Sequence, residues 1–96
     1  MAIIIMLELP GVTTDQFDQV NDILGIHRDE DLPDGLISHV AGATGNGFLV
    51  VDVWESEEAL GRFFEERVAG AMAQVGLQLA EPRIVPVHRQ LRRRAA

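Results

Sequence analysis

Apolar residues in this chain recur with two different periods, and the alternation between those periods predicts its architecture. Ile3 to Leu7 is an unbroken apolar run within Ala2 to Leu9, and Pro10-Gly11 closes it. A strand with no polar alternation is expected to be covered on both faces, which places it in the middle of a sheet. Thr13 followed by Gln16 is a capping-box pattern, and Phe17, Val20, Ile23 and Leu24 form the stripe of a helix that Gly25 stops. The connection from His27 to Gly35 is polar and acidic, ending in the turn signal Pro33-Asp34-Gly35. Leu36 to Ala43 and Phe48 to Trp54 read as strands on either side of Thr44-Gly45-Asn46-Gly47, which makes them a hairpin. Ser56 then caps a second helix. Its apolar face is Leu60, Phe63, Phe64, Val68, Ala71, Met72 and Val75, with Arg62, Glu65, Glu66 and Arg67 opposite and Gly76 as its end. Arg83 to His88 predicts a last strand, and Pro86 within it marks an edge.

The order is therefore β-α-β-β-α-β within a single domain spanning residues 1–90. This predicts an α+β, ferredoxin-like fold: a four-stranded antiparallel sheet with two helices on one face. Helices on one face leave the other bare. Yet the first strand is apolar on both sides, and Leu49, Val51 and Val53 alternate against Phe48 and Val50. The simplest cover is an identical sheet from a second copy, so a homodimer is expected. Chain length points the same way, because a domain of 96 residues buries only about 60–65% of its unfolded surface.

Charge and composition narrow the partners. The net charge is −7, and all 15 acidic residues lie between Glu8 and Glu81, while Arg89, Arg92, Arg93 and Arg94 cluster at the end. The folded body is thus strongly acidic, which argues against a nucleic-acid surface. Residues 91–96 are expected to form a flexible basic tail. There is no cysteine, which excludes disulfides and a catalytic thiol and fits the cytoplasm. No apolar run approaches the roughly 18 residues of a membrane span, and the first residues lack the basic flank and cleavage site of a leader. His27, in its acidic loop, is expected to be exposed, and His88 to sit near the dimer seam. No histidine spacing suits a metal site.

Candidate chemistry comes from the hairpin. Asp52 is the single acid in the middle of the Phe48 to Trp54 strand, and Trp54, the only tryptophan, lies two residues on and therefore on the same face. A two-residue loop at Gly45-Asn46, or a four-residue loop, pairs His39 with Asp52; a two-residue loop at Asn46-Gly47 pairs it with Trp54. Each of these registers puts His39, Asp52 and Trp54 on one surface, whereas a three-residue loop turns His39 away. The functional reading is an acid–base pair. Asp52 holds one ring nitrogen, the other moves a substrate proton, and Trp54 is a flat wall for an aromatic ligand. The structural reading is a buried pair satisfying each other beside a core indole.

The chain resembles the dimeric α/β-barrel superfamily, in its antibiotic biosynthesis monooxygenase branch. The resemblance runs through the whole element order and is most specific at Val53-Trp54-Glu55-Ser56-Glu57-Glu58-Ala59 leading into Phe63-Phe64. It implies a pocket between sheet and helices bordered by Trp54. The candidate substrate-binding residues are accordingly Trp54, Phe48, Phe63 and Phe64, beside His39 and Asp52 as the candidate catalytic pair. Such proteins include cofactor-free oxygenases acting on quinol-like polyketides, haem-degrading oxygenases and small isomerases. Phe64 stands where the resemblance would place an iron-binding histidine, and only aliphatic residues precede Glu8 on the first strand, which argues against haem. The absence of tyrosine departs from the quinol monooxygenases. The expectation is a cytoplasmic homodimer with no metal or cofactor: an oxygenase, or an isomerase or cyclase, acting on a planar hydrophobic quinol- or polyketide-like molecule. The alternative is a non-catalytic ligand-binding or stress-related barrel protein. A ring nitrogen of His39 left open beside a cavity separates the first from the second.

Overall fold

The computed structural model describes residues 1–93. Its elements are β1 (Ile3–Pro10), α1 (Thr14–Leu24), β2 (Leu36–Thr44), β3 (Gly47–Trp54), α2 (Glu57–Phe63), α3 (Ala69–Val75) and β4 (Arg83–Pro86). The strands form one antiparallel sheet in the order β2-β3-β1-β4. The apolar first strand is central, as expected. Ile3, Ile5, Leu7 and Leu9 of β1, with Phe48, Val50 and Trp54 of β3, bury one face against Val20 and Leu24 of α1 and Leu60, Ala71 and Met72 of the later helices. This is the ferredoxin-like arrangement. Within the chain, β1 is covered on that face only. Ile4, Met6, Val40, Leu49, Val51, Val53 and Val85 share the opposite face, and Val40 keeps 67% of its surface exposed.

Local chemistry fixes the helix ends. The Thr13 hydroxyl accepts from the Gln16 amide at 3.2 Å while the Thr13 amide donates to Gln16 Oε1 at 3.0 Å, completing the capping box. Gly25 closes α1, and the Arg67 guanidinium donates to the Leu24 carbonyl left over at that end. The inward stripe of α1 differs from the expected one. Ile23 is 43% exposed, and the half-buried Asn21 takes the inward position instead. Helical phase explains this, since Ile23 stands about 120° round from Phe17 whereas Asn21 stands about 40° from it.

Ser56 caps α2, its Oγ accepting from the Ala59 amide at 3.1 Å. The expected single α-helix to Gly76 is interrupted by a π-helical turn at Phe64–Val68 before α3 resumes. Apolar spacing does not reveal it, because the four-residue step from Phe64 to Val68 stays on one face in either kind of turn. Two strand details also depart from expectation. Leu36 pairs with Trp54 but Ser38 with Val53, so Ile37 is the extra residue of a β-bulge, and Leu36 and His39 face the same side. β4 ends at Pro86 rather than His88, although the Val87 amide still donates to the Ala2 carbonyl at 3.0 Å. Of the tail expected over residues 91–96, Arg92 and Arg93 are exposed, and residues 94–96 lie outside the described residues.

Candidate active site

The two-residue loop at Gly45-Asn46 is the one that forms, so Thr44 pairs with Gly47, Ala43 with Phe48 and His39 with Asp52. That register carries the His39 side chain to the helix-covered face beside Asp52 and Trp54. Asp52 is the only buried charged residue among those described. One of its oxygens, Oδ1, lies 2.6 Å from His39 Nδ1, and the other, Oδ2, accepts from Trp54 Nε1 at 3.3 Å. A carboxylate accepts only and an indole donates only, so in the neutral imidazole Nδ1 carries the proton. Both oxygens are thereby satisfied, which offsets the cost of burying the charge.

The ring of His39 is held in a second way. It lies parallel to Phe17, with centroids 6.3 Å apart and planes within 2°, and Phe17 in turn stacks on Phe48 at 4.6 Å. With Nδ1 engaged and the ring fixed, Nε2 is left as the lone-pair nitrogen. It makes no hydrogen bond among the described residues, and it is not sealed in the interior. A neutral imidazole with its acceptor nitrogen open and its donor nitrogen on a carboxylate is the arrangement of a general base.

Nε2 belongs to a ring at the neck of a two-part hollow. Inside, between sheet and helices, lies a cavity of about 90 Å³ whose walls include Trp54, Phe63, Phe64 and Val68. Its only side chains with polar groups, apart from the Trp54 indole, are Asn21, His39 and Asp52. Outside, between the edge of β2 and the loop after α1, lies an open vestibule of about 550 Å³ whose lining includes His27, Arg28 and Ser38. Asn21, Ile26 and His39 border both spaces, and this shared rim is the throat of the site.

The expected site residues are thus only partly gathered. His39, Asp52, Trp54, Phe63 and Phe64 line the inner cavity. Phe48 does not; it sits buried beneath Phe17, further along β3. His27 is exposed on the vestibule, and His88 is exposed beyond β4 and borders neither space. Among the described residues no three His, Cys, Asp or Glu side chains group as metal ligands, and no helix is long and apolar enough to cross a membrane. Asn21 is a site residue absent from the sequence expectations, and its spacing of four from Phe17 and three from Leu24 is the signal that places it there.

The sequence matches no family model and no curated protein. Its structure is similar to several solved ones. SnoaB, a cofactor-independent oxygenase from Streptomyces nogalater, superposes with a TM-score of 0.64 at 13% identity, over 94% of this chain and 95% of that one. A candidate antibiotic biosynthesis monooxygenase from Chloroflexus aurantiacus gives 0.62 at 21% identity, over 94% and 97%. One from Deinococcus radiodurans gives 0.60 at 13% identity, over 99% and 100%. At these identities the likeness is one of architecture, and it extends over nearly the whole of each chain. This chain has the ferredoxin-like α+β fold of the antibiotic biosynthesis monooxygenase proteins.

Proposed function

We propose that the protein is a cytoplasmic, homodimeric, cofactor-independent oxygenase that deprotonates a planar hydrophobic molecule of the quinol or polyketide kind. The observation that carries this reading is the open Nε2 of His39 at the throat of an apolar cavity, with Nδ1 fixed on a buried carboxylate. A ring O–H conjugated to a ring C–H position, or a CH₂ group activated by neighbouring rings or carbonyls, gives a proton to Nε2, which leaves a carbanion delocalised over the ring, and Asp52 stabilises the imidazolium that results. The carbanion transfers an electron to O₂ and the pair recombine into a peroxide anion, which takes the proton back from His39. The hydroperoxide eliminates water and leaves a carbonyl. One oxygen atom enters the product, the other leaves as water, and no outside reductant is consumed.

Size constrains how the substrate lies. An engineered cavity of about 150 Å³ holds benzene, so 90 Å³ admits the reacting edge of a ring system rather than all of it. The remainder of the molecule then occupies the vestibule. SnoaB, with the same fold, is a cofactor-independent oxygenase, which favours oxygen over simple reprotonation as the fate of the carbanion. The bare apolar face of the sheet supports the homodimer, and the lack of cysteine supports the cytoplasm.

The test is oxygen uptake with a panel of hydroquinones and phenolic polycyclic ketones, comparing wild type with His39→Ala. Loss of about 100-fold or more in turnover is expected. An unchanged rate would remove His39 as the base. Exchange of substrate hydrogen with D₂O without oxygen uptake would identify an isomerase instead. Binding without either reaction would identify the non-catalytic ligand carrier.

A further inference from the structure

Asn21 is placed where a helix of this kind normally puts an apolar residue. It stands between Phe17, Val20 and Leu24 on the inward face of α1, half-buried, and it borders both the inner cavity and the vestibule together with His39. Asparagine in a helix interior is unfavourable, because its side chain competes for backbone groups. One of its Nδ2 hydrogens does so here, on the Phe17 carbonyl at 3.2 Å. That bond fixes the carboxamide. Oδ1 accepts no hydrogen bond among the described residues and is not sealed from solvent, and Nδ2 has a second hydrogen to give. An amide with a free donor and a free acceptor therefore belongs to the same shared rim as His39.

We infer that Asn21 is the substrate-orienting residue of the site, binding a hydroxyl or carbonyl oxygen next to the carbon that His39 deprotonates. The inference rests on the reading of His39 as the base, and it narrows the substrate class to enolisable aryl ketones and their hydroxyarene tautomers. The free Nδ2 hydrogen meets the oxygen as negative charge develops on it, while Oδ1 accepts from the hydroxyl of the resting substrate. Plain hydrocarbons of the same shape lack both partners.

The test needs no knowledge of the natural substrate. Wild type, Asn21→Leu, Asn21→Ala and His39→Ala are titrated with 1-naphthol and with 1-methylnaphthalene, reading the Trp54 indole N–H resonance. The ratio of the two affinities should fall about five- to tenfold in both Asn21 variants, the worth of one hydrogen bond. Asn21→Leu should also melt at a higher temperature than wild type, since it replaces a poorly placed polar side chain with an apolar helix former. An unchanged ratio in folded Asn21 variants overturns the inference. So does a ratio that falls in His39→Ala alone, which leaves the histidine as the only partner of the oxygen. If the ratio falls in the Asn21 variants but His39→Ala keeps full turnover, Asn21 stands as a binding residue and the base is lost. Failure of both ligands to move the indole signal in any variant removes the aromatic site altogether.

Discussion

Replacing Asp52 with asparagine changes one atom and sets its two neighbours against each other. The carboxylate now accepts from His39 Nδ1 at 2.6 Å and from Trp54 Nε1 at 3.3 Å. Asparagine offers one acceptor and one donor group in the same space. The indole can only donate, so it claims the remaining oxygen, and the new amide N–H groups face Nδ1. The imidazole must then move its proton to Nε2, the nitrogen that opens on the throat. Exchanging a charge-assisted bond for a neutral one costs roughly 1–2 kcal/mol; with the His39 side chain 27% exposed, the lower end, about 1 kcal/mol, is the expectation. For a domain of this size that lowers the melting temperature by about 4–8 °C. Under the proposed mechanism turnover should fall much further, by roughly 10²–10⁴, because His39 would then carry a proton where a base needs a lone pair. Long-range ¹H–¹⁵N spectra of the imidazole read the tautomer directly and need no substrate. Protonated Nδ1 in wild type and protonated Nε2 in Asp52→Asn are expected. The same tautomer in both proteins would refute the claim that Asp52 sets the state of His39.

Other consequences are as direct. Trp54→Phe keeps an aromatic wall against Phe63, whose ring centroid lies 5.7 Å away, but leaves Asp52 Oδ2 without its donor; urea denaturation should show a loss of about 1–3 kcal/mol, and none would mean that the indole bond contributes nothing. Gly35→Ala places a Cβ 2.5 Å from that of Ala59 at a φ of 90°, so thermal unfolding should show a loss of about 1–3 kcal/mol, partly restored by Ala59→Gly. Val51→Glu puts a charge in the middle of the open apolar face of the sheet and should yield a folded monomer in sedimentation velocity where wild type sediments as a dimer. A wild type that is itself monomeric at micromolar concentration would sink the homodimer.

What could be read from the sequence was whatever depends on neighbours along the chain. Thr13, Gly25, Ser56 and Gly76 announce helix ends because capping is a contact of three or four residues. The meeting of His39 with Asp52 was legible because a hairpin loop fixes register by its length, and one of the loops considered was the one that forms. The bulge at Ile37 was not legible. It lies where the Glu55 amide donates to the Gly35 carbonyl at 2.7 Å, a contact between positions 20 apart in sequence. Phe48 shows a different limit. Strand parity gave its face correctly but said nothing of its distance along the strand, which puts it under Phe17 rather than in the cavity. Ile23 is apolar but helical phase turns it outward, while the same phase brings the polar Asn21 in.

The π-helical turn shapes one wall of the inner cavity. Phe64 and Val68 bracket that turn and are both walls of the cavity. A π turn closes its hydrogen bonds over five residues and occurs rarely, mostly as a single turn within an α-helix and often at functional sites. This wall is therefore built on the one π-helical turn among the described residues, with α-helical turns on both sides. The two side chains therefore reach the 90 Å³ cavity from the ends of a turn that holds one residue more than its α-helical neighbours. Deleting one residue of that turn, which would return it to α-helix, should change the phase of this cavity wall and leave the sheet register of His39 and Asp52 as it is.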